Sequence, residues 1–142
     1  MANIIPYAFR GELFTGTHNF ASGGDSFKLA LYTANPYTTA SSVYSASSEV
    51  SSSGGSNYTT AGKALTGNAV ATSSAVACCV FADATWTSAT FTAAFGAIYN
   101  DDKSDKLCVV LDFGGNKTCT NGTFKITFPD PSTPANAIIS MS

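Results

Sequence analysis

The sequence contains few charged residues, and those present are mixed in sign. Only 11% of the 142 residues are charged and the net charge is −2, whereas an average soluble domain is roughly 25% charged. The chain has a single arginine. Nucleic-acid binding requires several clustered cations, but Lys103 and Lys106 lie among Asp101, Asp102 and Asp105. The composition therefore argues against a nucleic-acid partner.

Long apolar runs are also absent. No apolar stretch reaches the ~18 residues that a membrane-spanning helix needs. The first residues, MANIIPYAFRGELF, lack the basic region, apolar core and small-residue cleavage site of a secretory signal. These absences predict a protein with no membrane partner, which stays in the cytoplasm where it is made or leaves it by a route other than secretion.

The spacing typical of a metal site is missing as well. The four cysteines, Cys78, Cys79, Cys108 and Cys119, form no CxxC motif, and His18 is the single histidine. We interpret the cysteines as small buried hydrophobic residues in a reducing compartment, with a disulfide as the alternative. No metal and no cofactor are expected.

The chain is rich in apolar side chains and in hydroxyls. Hydrophobic residues make up 44% of the sequence, and there are 18 serines and 18 threonines. This apolar content is sufficient for one core in a chain of 142 residues. Hydroxyls are less costly to desolvate than charges, so a serine and threonine surface is suited to being covered by neighbouring proteins. The composition therefore predicts a component of an assembly.

Short alternating apolar patterns predict strands. In residues 85–100, TWTSATFTAAFGAIYN, the face from Ala89 to Tyr99 carries Ala, Phe and Tyr, and the other face is small or hydroxyl-bearing. Such patterns predict strands at Tyr7–Phe14, Phe27–Leu31, Ala64–Thr72, Ala75–Asp83, Ala89–Tyr99, Leu107–Phe113, Gly122–Phe128 and Asn136–Met141. Turn residues in NDDKSD and GGNKTCTNG separate the later strands. About eight short strands predict an all-β fold, namely a jelly-roll-like, two-sheet β-sandwich.

Residues 1–142 are predicted to form a single β-sandwich domain. Residues 36–62 are a long polar excursion with little periodicity, and a short helix is predicted near Ser42–Val50. The alternative is a flexible linker between two domains, but the residues before it are too few to form a separate core. Residues 1–9 are interpreted as an extended N-terminal arm.

Few residues are candidates for chemistry. His18 could act as a general base for a serine or cysteine, and Glu12 and Asp112 could form the acid pair of a glycosidase. GxSxG, calcium-loop and phosphate-loop motifs are missing. The aromatic residues that could form a sugar-binding platform are Trp86, Tyr32, Tyr37, Tyr44 and Tyr58. Core or interface roles fit these aromatics better, and we expect His18 at the surface or in a turn, so we predict a non-enzymatic protein without a catalytic site.

A set of short segments, spread over nearly the whole chain from about Phe9 onward, forms a recognisable pattern. The segments are Lys28–Tyr32 (KLALY), Tyr44–Val50 (YSASSEV), Tyr58–Lys63 (YTTAGK), Asp83–Thr90 (DATWTSAT), Ala97–Asn100 (AIYN), Leu111–Gly114 (LDFG) and Gly122–Phe128 (GTFKITF). The pattern resembles that of small virion proteins of tailed bacteriophages. It departs from the family at Gly62-Lys63, where two glycines are usual, and at Ala94, where an arginine is common.

The resemblance implies a capsid cement or decoration protein with a jelly-roll-like sandwich. Such a protein binds the outer surface of an HK97-type shell and stabilises contacts between capsomers. The implied partners are the major capsid protein and further copies of the chain, as a dimer or trimer. The implied location is the capsid surface of the virion, after synthesis in the host bacterial cytoplasm. Two other functions stay open, a receptor- or carbohydrate-binding module of a tail or head fibre and a small hydrolase.

Overall fold

Two consecutive strands of 17 and 21 residues form the largest element of the fold. The structure is a computed structural model that describes residues 3–73, 75–129, 132 and 137–141. Its elements are α1 (Tyr7–Phe14), β1 (Phe27–Tyr32), β2 (Lys63–Ala64), β3 (Ala69–Ser73), β4 (Val76–Val80), β5 (Ala84–Asn100), β6 (Lys106–Ile126) and β7 (Ile139–Met141). A 3₁₀ turn at Asp101–Lys103 connects β5 with β6.

The strands form two antiparallel sheets. The first sheet has the order β2-β1-β5-β6 and the second has the order β3-β4-β7. The main core lies between them and combines Leu29, Ile98 and Val109 of the first sheet with Cys79 and Ile139 of the second. The all-β, two-sheet sandwich predicted from the alternating pattern is therefore confirmed.

Strand bounds differ from the prediction in two regions. The predicted strand Ala64–Thr72 is divided into β2 and β3, with residues 65–68 between them. The predicted strands Leu107–Phe113 and Gly122–Phe128 lie largely within the single strand β6, so GGNKTCTNG is not a loop. The reason is the length of β5, which offers backbone partners to β6 along most of its 17 residues.

The predicted loop residues produce bulges inside the β5–β6 ladder. Between Ala93 and Phe95 the pairing advances two residues on β5 and five on β6, from Lys117 to Asp112. Gly114 lies in this insertion with a φ of 75°, a left-handed conformation that glycine adopts without steric cost. The turn residues of GGNKTCTNG therefore mark a bulge within strand β6 and not the end of the strand.

The two faces of β5 exchange their surroundings near Ala94. Phe91 and Ala93 pack into the main core, but after Ala94 the core-facing residue is Ile98. Tyr99 instead packs into a second apolar cluster on the opposite face of the sheet. The prediction that alternate residues from 89 to 99 share one face is therefore wrong, because Ala89, Phe91 and Ala93 pack into the main core whereas Phe95, Ala97 and Tyr99 pack into the second cluster.

The polar excursion, residues 36–62, contributes to the cover of this second face. The helix predicted near Ser42–Val50 is not formed, because Val43 and Glu49 make isolated β-bridges with β6 and β1. Serine is neutral to unfavourable in helix interiors, and the backbone here finds partners on the sheet. The excursion is irregular in conformation but attached to the domain.

A partly buried carboxylate and tyrosine hydroxyls attach the excursion. Tyr44 and Tyr58 each donate a hydrogen bond to Glu49 at 2.6 Å, and the backbone nitrogen of Ala61 donates to the same carboxylate at 2.8 Å. The Tyr58 hydroxyl also accepts from the backbone nitrogen of Leu31 at 2.9 Å. Burial and the Glu49 carboxylate raise the pKa of both tyrosines, so both remain protonated donors.

Two further tyrosines hold Ser45 of the excursion. Tyr32 donates to the carbonyl oxygen of Ser45 at 2.8 Å, and the Tyr37 hydroxyl accepts from its backbone nitrogen at 2.9 Å. Tyr99 donates to the carbonyl oxygen of Ala61. Five of the six tyrosines therefore hold the excursion against the sheet through hydrogen bonds of their hydroxyls, namely Tyr32, Tyr37, Tyr44, Tyr58 and Tyr99.

The N-terminal residues fold against the domain. Tyr7–Phe14 is a helix and not the predicted strand, because Phe9 and Leu13, four residues apart, face the same side and pack on the main core. Ile4 forms a bridge with Val110 of β6. An extended arm was expected for residues 1–9, but residues 3–9 lie against the body of the chain, with Phe9 fully buried.

We expect Tyr58→Phe to lower the free energy of unfolding by about 1–3 kcal/mol, because the change removes one of the donors to Glu49 and leaves the Leu31 nitrogen without its buried acceptor. Urea unfolding followed by tryptophan fluorescence measures the loss. Tyr7→Phe is the matched control, since Tyr7 is 54% exposed. Equal stability of the two variants would show that the buried hydroxyl does not hold the excursion.

Candidate functional site

His18 lies in a buried polar cluster and not at the surface. Its side chain is 0% exposed, and Nε2 is 2.6 Å from Oε2 of Glu12. The side-chain amide of Asn100 donates to Nδ1 at 3.0 Å. Because Nδ1 accepts, the proton resides on Nε2 and is donated to Glu12. The expectation of a surface histidine is wrong because the segment after α1 folds the ring against Phe9 and Phe20.

Asn100 is the hub of this cluster and is itself fully buried. Its amide nitrogen also donates to Oδ2 of Asp25 at 2.8 Å, and its oxygen accepts from the backbone nitrogen of Asp102 at 3.1 Å. The sequence analysis did not identify Asn100. The available signal was an asparagine directly before the acidic pair of a turn, where its side chain caps the turn.

The carboxylates of the cluster are held in the ionised form. Burial alone would raise the pKa of Glu12, but hydrogen bonds from Lys106, at 2.8 Å, and from His18 outweigh burial and lower it. Burial likewise opposes the lowering of the Asp25 pKa, which hydrogen bonds from Asn100 and the Asn19 backbone bring about. The cluster therefore ties α1 to the ends of β5 and β6.

The geometry favours a structural role for His18. Both ring nitrogens are occupied by Glu12 and Asn100, and within the described part of the chain no serine or cysteine hydrogen-bonds to the ring. A general base needs a free nitrogen within reach of a nucleophile. Glu12 and Asp112 also do not form a pair, since Glu12 binds His18 and Lys106 whereas Asp112 accepts from the Gly114 nitrogen at 2.8 Å.

We expect Glu12→Gln to destabilise the protein at pH 7 by about 1.5–3 kcal/mol, because hydrogen bonds to a charged acceptor are lost. The folded-state pKa of Glu12 lies below its ordinary value of 4.5. The stabilisation is therefore fully present above that value and is lost as pH falls through the folded-state pKa.

Urea unfolding of wild type and Glu12→Gln between pH 7 and pH 2.5 measures the effect. The difference between the two proteins should shrink below about pH 4.5. Asp101→Asn is the control, because its ion pair with Lys28 is partly exposed and contributes at most about 1 kcal/mol. A difference that stays constant with pH would contradict the assignment.

The cysteines are free thiols. Cys78, Cys79 and Cys108 are buried and Cys119 is partly buried, which confirms their interpretation as buried hydrophobic residues for the first three. Burial raises the pKa of Cys79 to about 12 and that of Cys108 well above its ordinary value. Over the residues that the structure describes, three or more metal-ligating side chains do not come together anywhere.

The aromatic residues considered for sugar binding do not form an exposed platform. Trp86 is 5% exposed, Tyr58 is 3% exposed and Tyr32 is fully buried. The Trp86 ring lies near that of Tyr58, at 6.4 Å between centroids, and the Lys63 ammonium lies 5.5 Å from the Trp86 ring centroid. These rings act as core and as attachment for the excursion.

The outer half of the β5–β6 hairpin exposes a face rich in hydroxyls. We call it the threonine face, and its members are Thr85, Thr87, Thr90, Thr92, Thr118, Thr120 and Thr123. They alternate with core residues such as Trp86 and Phe124, and two of them, Thr92 and Thr118, have hydroxyls 2.8 Å apart across the ladder. Lys125, opposite Thr85, is paired with an aspartate at 2.9 Å. The exposed hydroxyl side predicted for residues 88–92 is confirmed, but Ala94 and Gly96 are buried.

The outer edge of β6 is covered only at its beginning. Val43 and Ile4 form bridges with Lys106 and Val110, and beyond Phe113 no strand within the described ranges pairs with this edge. Two bulges interrupt the free part, one at residues 113–116 and one near Asn121. Bulges make an edge a poor template for another strand, so the threonine face is the better candidate for an interaction surface.

No protein-family model, curated protein or solved structure is significantly similar to this chain. In the part of the chain that is described, the one α-helix is too short to cross a membrane.

Proposed function

We propose that this chain is a non-enzymatic capsid cement or decoration protein of a tailed bacteriophage, which binds the outer surface of an HK97-type shell. The threonine face carries the proposal. It is broad, rigidly supported by the main core and nearly without charge, so its desolvation is inexpensive. The sequence pattern of small phage virion proteins supports the same function.

A cement protein stabilises a shell through many weak contacts. Strands of 17 and 21 residues span roughly 50 Å, which is long enough for one copy to contact more than one capsid subunit. Shell symmetry repeats each contact many times, so a small gain per copy becomes a large gain per particle. The partners in this function are the major capsid protein and neighbouring copies of the chain.

Mixing the purified chain with empty shells of the phage that encodes it tests the proposal. We expect on the order of hundreds of bound copies per particle, because every equivalent joint is a site, and a higher temperature of shell disruption. Averaged images of native particles should place the density on the shell. A handful of copies confined to the tail or fibres, or no binding at all, would contradict cement function.

Thr87→Lys combined with Thr123→Lys should reduce the number of copies bound, because two ammonium groups must then be desolvated when the threonine face is covered. Both threonines are exposed and neither hydroxyl has a hydrogen-bond partner in the described structure, so the fold should be retained. Thr66→Lys, at an exposed position outside this face, is the control. Quantitative gel analysis of sedimented shells measures occupancy, and equal occupancy of all three proteins would exclude the face as an interface.

A further inference from the structure

An apolar hollow opens between α1 and the second sheet. It measures about 100 Å³, and its lining includes Leu13 of α1, Val70 of β3, and Ile139 and Met141 of β7. We call it the Leu13 hollow. Among the described residues that line it none is charged, and Ser140 alone carries a hydroxyl. Covering apolar surface is favourable, so the hollow fits an uncharged, apolar group.

The most exposed large hydrophobic side chains of the described chain gather at this hollow. Phe14 is 93% exposed, Met141 is 59% exposed and Val70 is 56% exposed. Val70 and Met141 line the Leu13 hollow, and Phe14 directly follows Leu13 in α1. Single exposed hydrophobic residues are normal on soluble proteins, but a group of them around an apolar opening is typical of an interaction site.

The helix holds the Phe14 ring beside the hollow and outside it. Successive residues of an α-helix are about 100° apart around its axis, so Glu12 and Phe14 lie on opposite sides of Leu13. Glu12 binds Lys106 at the beginning of β6, in the first sheet, and Phe14 therefore points away from the first sheet. Because Phe9 and Leu13 fix α1 in the main core, the exposed ring is preorganised for a contact.

We propose that two copies of the chain pair about a two-fold axis, with Phe14 of each copy inserted into the Leu13 hollow of the other. A two-fold contact uses the same surface patch of both partners, so the patch must offer both a projecting group and an opening that receives it. In this chain the two lie side by side. An apolar cavity of about 150 Å³ accepts a benzene ring, so an open hollow of about 100 Å³ has room for the outer part of the phenyl ring.

A second copy matches this patch in shape and in charge. An unrelated partner must supply an aromatic group and an apolar opening at the same spacing, whereas a second copy supplies both by symmetry. Two identical patches also bring identical charges together, which opposes pairing wherever the patch is charged. The Leu13 hollow has no charged residue in its described lining, and Glu12 on the neighbouring side of α1 is already paired with Lys106.

The larger hollow beside β6 is a poorer receiver for Phe14. It measures about 580 Å³, and its lining mixes apolar with charged residues. The apolar ones include Leu111, Phe113 and Phe124, and the charged ones are Asp112, Lys117 and Lys125. A phenyl ring would leave most of that space without contacts and would bring charged groups out of water. The Leu13 hollow is therefore the better site for the ring.

Sedimentation velocity of the purified chain tests the pairing without a shell. The contact is small, so we expect a monomer–dimer equilibrium with a dissociation constant between about 10 µM and 1 mM. Phe14→Ala and Val70→Glu should each weaken it at least about ten-fold. Both side chains are exposed, so thermal unfolding should be unchanged. Val43→Glu is the matched control, since Val43 is also a half-exposed valine but lies against β6.

A mixture of the two weakened variants tests the reciprocal insertion itself. Each variant alone loses both insertions, because Phe14→Ala lacks the ring and Val70→Glu lacks an uncharged opening. A mixed pair keeps one insertion, since the ring of the Val70→Glu copy meets an intact hollow on the Phe14→Ala copy. We therefore expect the mixture to associate more strongly than either variant alone, measured by sedimentation with one variant fluorescently labelled.

The outcomes separate this inference from the proposed function. A wild-type chain that stays monomeric up to about 1 mM, or a dimer that both variants leave unchanged, would overturn the pairing and leave shell binding unaffected. Trimers or open chains in place of a dimer, or a mixture no stronger than its components, would exclude reciprocal insertion. If the chain pairs as expected but ignores shells, the cement function alone fails.

Discussion

The structure depends on the long antiparallel ladder between β5 and β6, and above all on its change of register near Ala94. Before this point, one face of β5 lies inside the sandwich through Phe91 and Ala93. After it, the second half of β5 is buried on both sides, since Ile98 enters the main core while Tyr99 enters the second cluster. The first half keeps its opposite face free for the hydroxyls. One local defect thus divides the hairpin into an enclosed half and an exposed half.

The enclosed half of the hairpin is covered by backbone that needs polar side chains as hydrogen-bond partners. The excursion and the N-terminal segment bring irregular backbone onto the sheet, and buried backbone groups must find partners. Glu49 and the tyrosine hydroxyls satisfy the excursion, and His18 with Asn100 ties the chain after α1 to the end of β5. The titratable residues that were candidates for catalysis in the sequence therefore attach these segments to the sheet.

The local sequence was sufficient to predict which side chains are buried wherever one face of a strand packs on a single core. Phe124 and Phe128 share the core side as their alternation indicates, and Lys125 lies opposite. It was insufficient where a distant segment determines the local structure. The predicted loop GGNKTCTNG forms part of strand β6 because it pairs with β5. The helix at residues 7–14 depends in the same way on a core for Phe9. The polar clusters depend on residues brought together from 82 positions apart, as with His18 and Asn100, which no local pattern encodes.

The exposed half of the hairpin also bears on how such a chain associates without aggregating. A free, flat edge on β6 would recruit further strands without limit, but the insertion at Gly114 and the left-handed Asn121 interrupt it. In the proposed function, association therefore uses surfaces that recognise side chains, where shape and charge can restrict the partner. The threonine face supplies an area that is inexpensive to cover. In the proposed function, the low surface charge lowers the cost of covering the chain, and the bulged edge disfavours strand pairing as the mode of contact.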